Sequence, residues 1–547
     1  MSQGTAVGVI LTGATTHKAA CQLFKSAERG GVREGKFLLI ESSSGERRIL
    51  TRVASIIPQN EFYTPGDAWT EARRKQVEIP DQLARQYEIC ELDLLAKMPG
   101  ARAIVVPPYP NDKVYEMKLP EQSQDIFGLS KKSEGILWYG TLIGYENAPI
   151  PLDIENITMH IGVFGTTGSG KSYDTGALIE KLVKIYDRED KIISFPIMCI
   201  DANGDYLDYV DYFKRKKKFG ASSTVTRYVF PTSPELSKPG AKPIALDLNL
   251  MSKRELAEAI VLYYSGGQKN ELQVTGIEKL MGYMEDSSFI SQGNYQSIFT
   301  HSDKFKKARE ALSEVGLHAA TQAAVLRALD KFRGIEEQLS LLSQEPKLDR
   351  NFVDRLTKNR EIAIIDFSAA GAPGIEPPLK QFVVSYLASV LFRVFTEYKM
   401  EGKERYMLFI IEESQNYCPN LSTYNVGYSL AKEKLAAIAT QGRKFGISLC
   451  LISQRPSFVD QVVLSMCNTF FLHRISPEDV PFVKRATGGL PSSLERRLTI
   501  LENGDAVISG QMLTLPFPML IHIPPRLVPQ TTGKTDVLGS LRRLAET

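Results

Sequence analysis

The sequence predicts an α/β fold with a small β-barrel at its N-terminus and a helical bundle inserted into the α/β part. Three observations lead there. Residues 1–150 hold short apolar alternations divided by turn signals, the spacing of a small barrel. From residue 160 apolar strands alternate with helices, as in an α/β sheet. Between 252 and 346 helical periodicity interrupts that alternation, which then resumes.

In chain order, "GVILTG", "KFLLIESSSGERRILTRVASII", "ARAIVVPPYP" and "GILWYGTLIGY" read as barrel strands. The charged "DAWTEARRKQVEIPDQLARQYEICELDLLAKM" reads as a helical insertion among them. The barrel ends near residue 150 at the proline-flanked "ENAPIPLD", and the first part of the core covers 151–251. There Ile161 to Phe164 form a buried strand, Leu178, Ile179 and Leu182 fall at helical spacing, and "PIMCIDANGDY" is a second strand ending in Asp201. The bundle occupies 252–350; in its last helix Val325, Leu329, Phe332, Ile335, Leu339 and Leu342 step along one face. The core returns over 351–525 with "EIAIIDFS", a buried helix at 379–399, "YMLFIIEESQNY", a helix at 429–444, "ISLCLISQRPS", "NTFFLHRIS" and "GDAVISG". A polar C-terminal tail, 526–547, has a short helical end.

Composition narrows the classes. A formal net charge of +3 is small for 547 residues, so nucleic-acid contact has to come from a local patch or from repeated copies in an oligomer. The run Lys214, Arg215, Lys216, Lys217 and Lys218 is such a patch, read either as a DNA-channel element or as a solvated loop. Six scattered cysteines without a C-x-x-C pair argue against a disulfide framework or a zinc site and fit a reducing cytoplasm. The start lacks the basic and apolar regions of a signal peptide. The most apolar stretch, "LKQFVVSYLASVLFRVF", carries Lys380 and Arg393 and reads as a core helix, leaving a cytoplasmic protein with no membrane contact.

The chemistry concentrates in "GTTGSGKS". Gly165, Gly170, Lys171 and Ser172 match G-x-x-x-x-G-K-[ST] between a strand and a helix N-terminus, where backbone N–H groups and the helix dipole favour polyphosphate. The loop residues Gly165, Thr166, Thr167, Gly168, Ser169 and Gly170 can curl around the anion, with Tyr173 and Asp201 at its border. Lys171 reaches the β- and γ-phosphates of ATP, and the Ser172 hydroxyl completes a Mg²⁺ shell. Hydrolysis also requires acids. Glu412 and Glu413 end the apolar run "YMLFII"; Glu412 is assigned to Mg²⁺ through water and Glu413 to polarising the nucleophilic water. Gln454 ends the next strand as a candidate γ-phosphate sensor, and Arg443 precedes that strand as a candidate to complete a neighbouring subunit's site.

Together, "GTTGSGKS", "IDANGDY", "FIIEESQNY", "GRKFGISLCLISQRPS", "VLSMCNTFFLHRISPED" and "LENGDAVISG" resemble the HerA family of hexameric DNA translocases, relatives of FtsK-type motors, from about residue 5 to 525. The resemblance implies a RecA-like P-loop ATPase core, a HAS-barrel, a helical insertion and a homo-hexamer acting on double-stranded DNA. It assigns Lys171 and Ser172 to phosphate and Mg²⁺, Glu413 to catalysis, Gln454 to sensing and Arg443 to the GRKFG arginine. It also implies a partner: a NurA-like nuclease in end processing, or a sirtuin-like NAD-consuming enzyme or another nuclease effector in antiviral defence. The barrel is either the docking platform for that partner or a support for the ring. Where relatives often have D-P-H-G-E-Y and E-E-A-H-N, this chain has Asp201-Ala202-Asn203-Gly204-Asp205-Tyr206 and Glu412-Glu413-Ser414-Gln415-Asn416, keeping acids but not histidines. An ATP-gated scaffold that switches a partner enzyme needs the same ATPase site and is the alternative. A GTPase switch is disfavoured because no N-K-x-D motif occurs.

Overall fold

The computed structural model describes residues 4–530 and 542, apart from 29, 44, 46, 78–85, 118–126, 128, 130–132, 146, 188 and 425–428. The chain divides into two compact units. The first comprises residues 1–153, 489–501 and 505–524; the second holds 154–488, 502–504 and the remainder from 525.

In the first unit six antiparallel strands close a barrel in the order Ala6–Ile10, Lys18–Leu23, Gln86–Met98, Arg48–Asn60, Phe37–Glu41 and Lys113–Glu116. Ile10, Cys21, Leu38, Ile40, Val53, Cys90, Leu92 and Val114 share its buried core. Three expectations need correction here. Strands Ile136–Tyr139 and Thr141–Leu142, read as part of the barrel, lie outside it and pair with Ile150–Asp153 and Met519–His522. Among its described residues, the segment read as a helical insertion contains only the short helix Thr70–Arg74, and its second half is the long strand Gln86–Met98. Cys90, Leu92, Leu94, Ala96 and Met98 are all buried, a period of two that charged neighbours such as Glu91 and Asp93 disguise. The stretch 101–110, read as a strand, is mostly loop: Pro107 and Pro108 cannot donate to a ladder, and Val105 is 79% exposed.

Residues 489–501 and 505–524, placed with the core by the sequence reading, group with the barrel unit. Buried polar contacts hold them there. Arg52 pairs with Asp93 at 3.2 Å and donates to the Pro518 carbonyl at 3.0 Å, while the Ser493 hydroxyl donates to Asp93 at 2.6 Å. Strand Met519–His522 also pairs antiparallel with Thr141–Leu142.

The second unit is built on eight strands in the order Ala241–Pro243, Val225–Val229, Ile362–Asp366, Ile197–Asp201, Met407–Ile411, Ile447–Ser453, Ile161–Phe164 and Thr469–Leu472. All neighbours are parallel. Every residue of the five strands from Ile362–Asp366 to Ile161–Phe164 in that order is buried, the continuous apolar run of a sheet covered on both faces. Because the strands are parallel, Phe164, Asp201, Asp366, Ile411 and Ser453 end along one edge.

Helices Lys253–Ser265, Glu271–Asp286, Gln296–Thr300, Ser302–Ala311, Ala319–Leu339 and Arg350–Asn359 interrupt the sheet's chain order between Ala241–Pro243 and Ile362–Asp366. Val325, Leu329, Phe332 and Ile335 are buried as the periodicity requires, and Phe332 stacks edge-on against Phe382 at 5.4 Å between ring centroids. The helix stops at Ser340, so Leu342 reaches the core from beyond its end. Helix Pro377–Met400 is long and apolar enough to cross a membrane, yet 72% of its apolar window is buried within the protein. All six cysteines are buried and unbridged.

Candidate nucleotide site

Strand Ile161–Phe164 feeds the phosphate loop, and helix Lys171–Leu182 leaves it. Gly168 and Gly170 take φ of +72° and +106°, where a Cβ would be strained. Gly165 is required by space: a Cβ there would stand 2.5 Å from Ser169 Oγ and 2.7 Å from His473 Cβ. Lys171 curls over the loop and donates to the Thr166 carbonyl at 2.9 Å. Burial pulls its pKa down, while Glu413, Glu412 and Asp205 oppose the shift.

Glu412 emerges from strand Met407–Ile411, 2% exposed. Its Oε1 accepts from Ser172 Oγ at 3.1 Å and Tyr206 Oη at 3.0 Å, and its Oε2 accepts from the Ala202 N–H at 3.1 Å. Burial pushes its pKa well up, and Asp201 and Asp205 add to the rise. Asp201 is fully buried and raised to about 7, chiefly by burial. Its carboxylate accepts the N–H groups of Asn203, Gly204, Asp205 and Tyr206, at 2.7 to 3.3 Å, so it shapes the turn. The sequence reading put Asp201 at the nucleotide; Asn203 and Asp205, which the turn projects, line the cleft instead.

Glu413 follows in left-handed conformation, φ +48° and ψ +45°. Gln454 Nε2 donates to its Oε1 at 2.9 Å and Gln415 Nε2 to its Oε2 at 2.5 Å, while Thr167 Oγ1 donates to Gln454 Oε1 at 2.7 Å. The result is a cleft of about 560 Å³ whose walls include Thr167, Gly168, Gly170, Lys171, Ser172, Tyr173, Glu412, Glu413 and Gln454. The strand ending in Ser453 lies between the phosphate-loop strand and the acid-bearing strand. That spacing keeps Lys171 and Glu413 on opposite sides of one cavity.

Other candidates lie elsewhere. Helix Leu430–Phe445 joins two parallel strands, so Arg443 at its last turn is exposed at the amino edge of the sheet. The seven residues of Ile447–Ser453, at roughly 3.3 Å each, put it on the order of 20 Å from the cleft of its own chain. Lys214 to Lys218 end helix Leu207–Lys216 at the same amino edge, for the same topological reason.

Sequence reasoning missed the chain's own return. The Leu527 and Val528 N–H groups donate to Glu180, Arg526 lies over the rings of Tyr173 and Tyr209, and Gln530 donates to Asp205 at 2.8 Å on the cleft wall. These contacts span over 300 residues, and no local pattern announces them. Apart from Arg542, which is helical, the end expected to be helical in the tail lies outside the described residues.

The family model described as "Helicase HerA, central domain" matches residues 137–391. The DNA double-strand break repair helicase HerA of Sulfolobus acidocaldarius is 23% identical over 523 residues, covering 93% of this chain and 92% of the relative. That of Pyrococcus furiosus is 24% identical over 430 residues, 72% of this chain and 70% of the relative. Among solved structures, VirB4 of Thermoanaerobacter pseudethanolicus has a TM-score of 0.49 at 13% identity, covering 73% of this chain and 98% of its own. The conjugative coupling protein TrwB gives 0.48 at 15% identity, covering 73% and 91%.

Proposed function

Because the chain belongs to the HerA helicase family, we propose that it is a motor that hydrolyses ATP to move double-stranded DNA. It is an ATPase with a RecA-like core, of the DNA helicase and translocase kind. The observation that carries the reading is the convergence of Lys171, Ser172, Glu412, Glu413 and Gln454 on one cleft.

Lys171 and the loop N–H groups hold the phosphates. The Ser172 hydroxyl and Glu412 carboxylate, 3.1 Å apart, are the hard oxygen donors that suit Mg²⁺, Glu412 acting through water. The crowding of Glu412, Asp201 and Asp205 is the kind of local charge a divalent cation relieves. Mg²⁺ held there would neutralise phosphate charge. Glu413 orients the attacking water by accepting one of its protons. The water oxygen bonds to the γ-phosphorus, the bond from that phosphorus to the β,γ-bridging oxygen breaks, and ADP departs with the electron pair. Gln454, within reach of both Thr167 and Glu413, senses the γ-phosphate.

Arg443 stands too far from its own cleft to act there, which supports a role in a neighbour's site and hence a closed ring, read as a hexamer. The partner is a NurA-like nuclease or a defence effector such as a sirtuin-like enzyme, docked on the barrel. ATP turnover measured with and without linear duplex DNA tests the reading. Turnover that rises with DNA and vanishes in Lys171→Ala is expected; turnover indifferent to DNA would oppose a motor.

A further inference from the structure

The catalytic carboxylate is held by two amides with unlike surroundings. Gln454 is half-buried on the cleft wall, tied by Thr167 to the phosphate loop. Gln415 is 9% exposed and sits behind Glu413, outside the cleft lining. It occupies the 3₁₀ turn Ser414–Asn416, which the left-handed backbone of Glu413 opens and the Asn416 N–H closes onto the Glu413 carbonyl at 2.8 Å. Its amide bridges two strand ends: Nε2 donates to Glu413 Oε2 at 2.5 Å, and Oε1 accepts from Ser453 Oγ at 2.7 Å.

The amide's orientation follows from these partners. Reversed, it would set a carbonyl oxygen against a carboxylate. A donor on an ionised acceptor is the stronger kind of hydrogen bond, and a buried one resists reorientation. Gln454, by contrast, is positioned to exchange Glu413 for a γ-phosphate oxygen, since its Thr167 partner belongs to the loop that wraps the nucleotide.

We propose that Gln415 is the positioning residue for Glu413: it keeps the carboxylate aimed at the attacking water when Gln454 turns to the γ-phosphate. This rests on the ATPase reading above. Gln415 is not among the residues that line the cleft. Histidine is another side chain that can donate with one nitrogen and accept with the other. The bridge is therefore a donor–acceptor function that two residue types can fill.

The test uses the full-length chain and steady-state ATP turnover. Gln415→Leu keeps bulk and removes both bonds, so kcat is expected to fall roughly 10- to 100-fold, the scale of a displaced catalytic group, with KM for ATP unchanged. Gln415→His is expected to recover most of the loss. In a Glu413→Gln background, Gln415→Leu is expected to add nothing, because its effect runs through the group already removed. An unchanged kcat in Gln415→Leu, with wild-type turnover intact and Glu413→Gln inactive, would overturn the assignment while leaving the ATPase reading in place. So would a fall in kcat that His does not rescue or that adds to Glu413→Gln. A wild-type chain that hydrolyses no ATP would overturn the ATPase reading itself, and the assignment with it.

Discussion

Removing the titration of His160 tests how the phosphate-loop strand is anchored. His160 is 3% exposed, immediately before strand Ile161–Phe164. Its Nε2 lies 2.9 Å from the Ala439 carbonyl and so carries the proton, while its Nδ1 accepts the Leu449 N–H at 3.0 Å. Protonating Nδ1 would turn two N–H groups against each other. Burial accordingly pulls the imidazole from 6.5 to about 4, with the Ala439 bond acting in the other direction. Between these values the unfolded state holds a proton that the folded state lacks, so stability is complete above pH 6.5 and falls as pH drops toward 4. A difference of 6.5 − 4 = 2.5 units corresponds to about 3 kcal/mol in full, of which about 2 kcal/mol is already lost at pH 5. Hydrogen exchange of the Ile447–Ser453 segment, corrected for intrinsic rates, reads this locally. From pH 7.5 to 5 its protection is expected to drop roughly 30-fold more in the wild type than in His160→Gln, which can donate to Ala439 and accept from Leu449 without titrating. Equal pH dependence in the two proteins would show that His160 is not the titrating anchor of this strand.

Lys171→Ala is expected to abolish ATP turnover through lost phosphate binding, whereas Glu413→Gln binds ATP and hydrolyses it about 10²- to 10⁴-fold more slowly; paired nucleotide-binding and turnover assays check both. Mixing Arg443→Ala chains with Lys171→Ala chains is expected to restore part of the turnover, since one intact site then forms between neighbours, and verified mixed rings without activity would contradict action in trans. Replacing Lys214 to Lys218 by neutral residues is expected to leave DNA-free turnover unchanged and flatten the salt dependence of DNA binding, because the run lies at the sheet edge opposite the cleft; an unaltered slope in a binding titration would make it a solvated surface.

The sheet was legible because parallel strands buried on both faces are continuous apolar runs, and "IGVF", "IMCID" and "MLFII" have no other plausible use. The barrel was harder. Strand Gln86–Met98 hides its inward Cys90, Leu92 and Leu94 between Glu91 and Asp93, and the paired Arg52 that neutralises buried Asp93 is 41 residues away. Within the site, Lys171, Ser172, Glu412 and Glu413 announced themselves because their chemistry demands fixed residue types next to strand ends. Asp201 misled for a related reason: an acid at a strand end looks ligand-facing until its four backbone partners are seen. Tyr206, Gln415 and Gln530 carry no spacing rule. Their roles arise from side chains meeting across the fold, as when Tyr206 reaches Glu412 over 206 positions.

Hydrolysis at this cleft is proposed to move duplex DNA, and displacement of a triplex-forming strand placed on a linear duplex measures that without inference from ATP consumption. Displacement is expected to require ATP and to disappear in Glu413→Gln while that variant still binds ATP and DNA. A wild-type protein that hydrolyses ATP on the same duplex yet leaves the third strand in place would contradict the proposal.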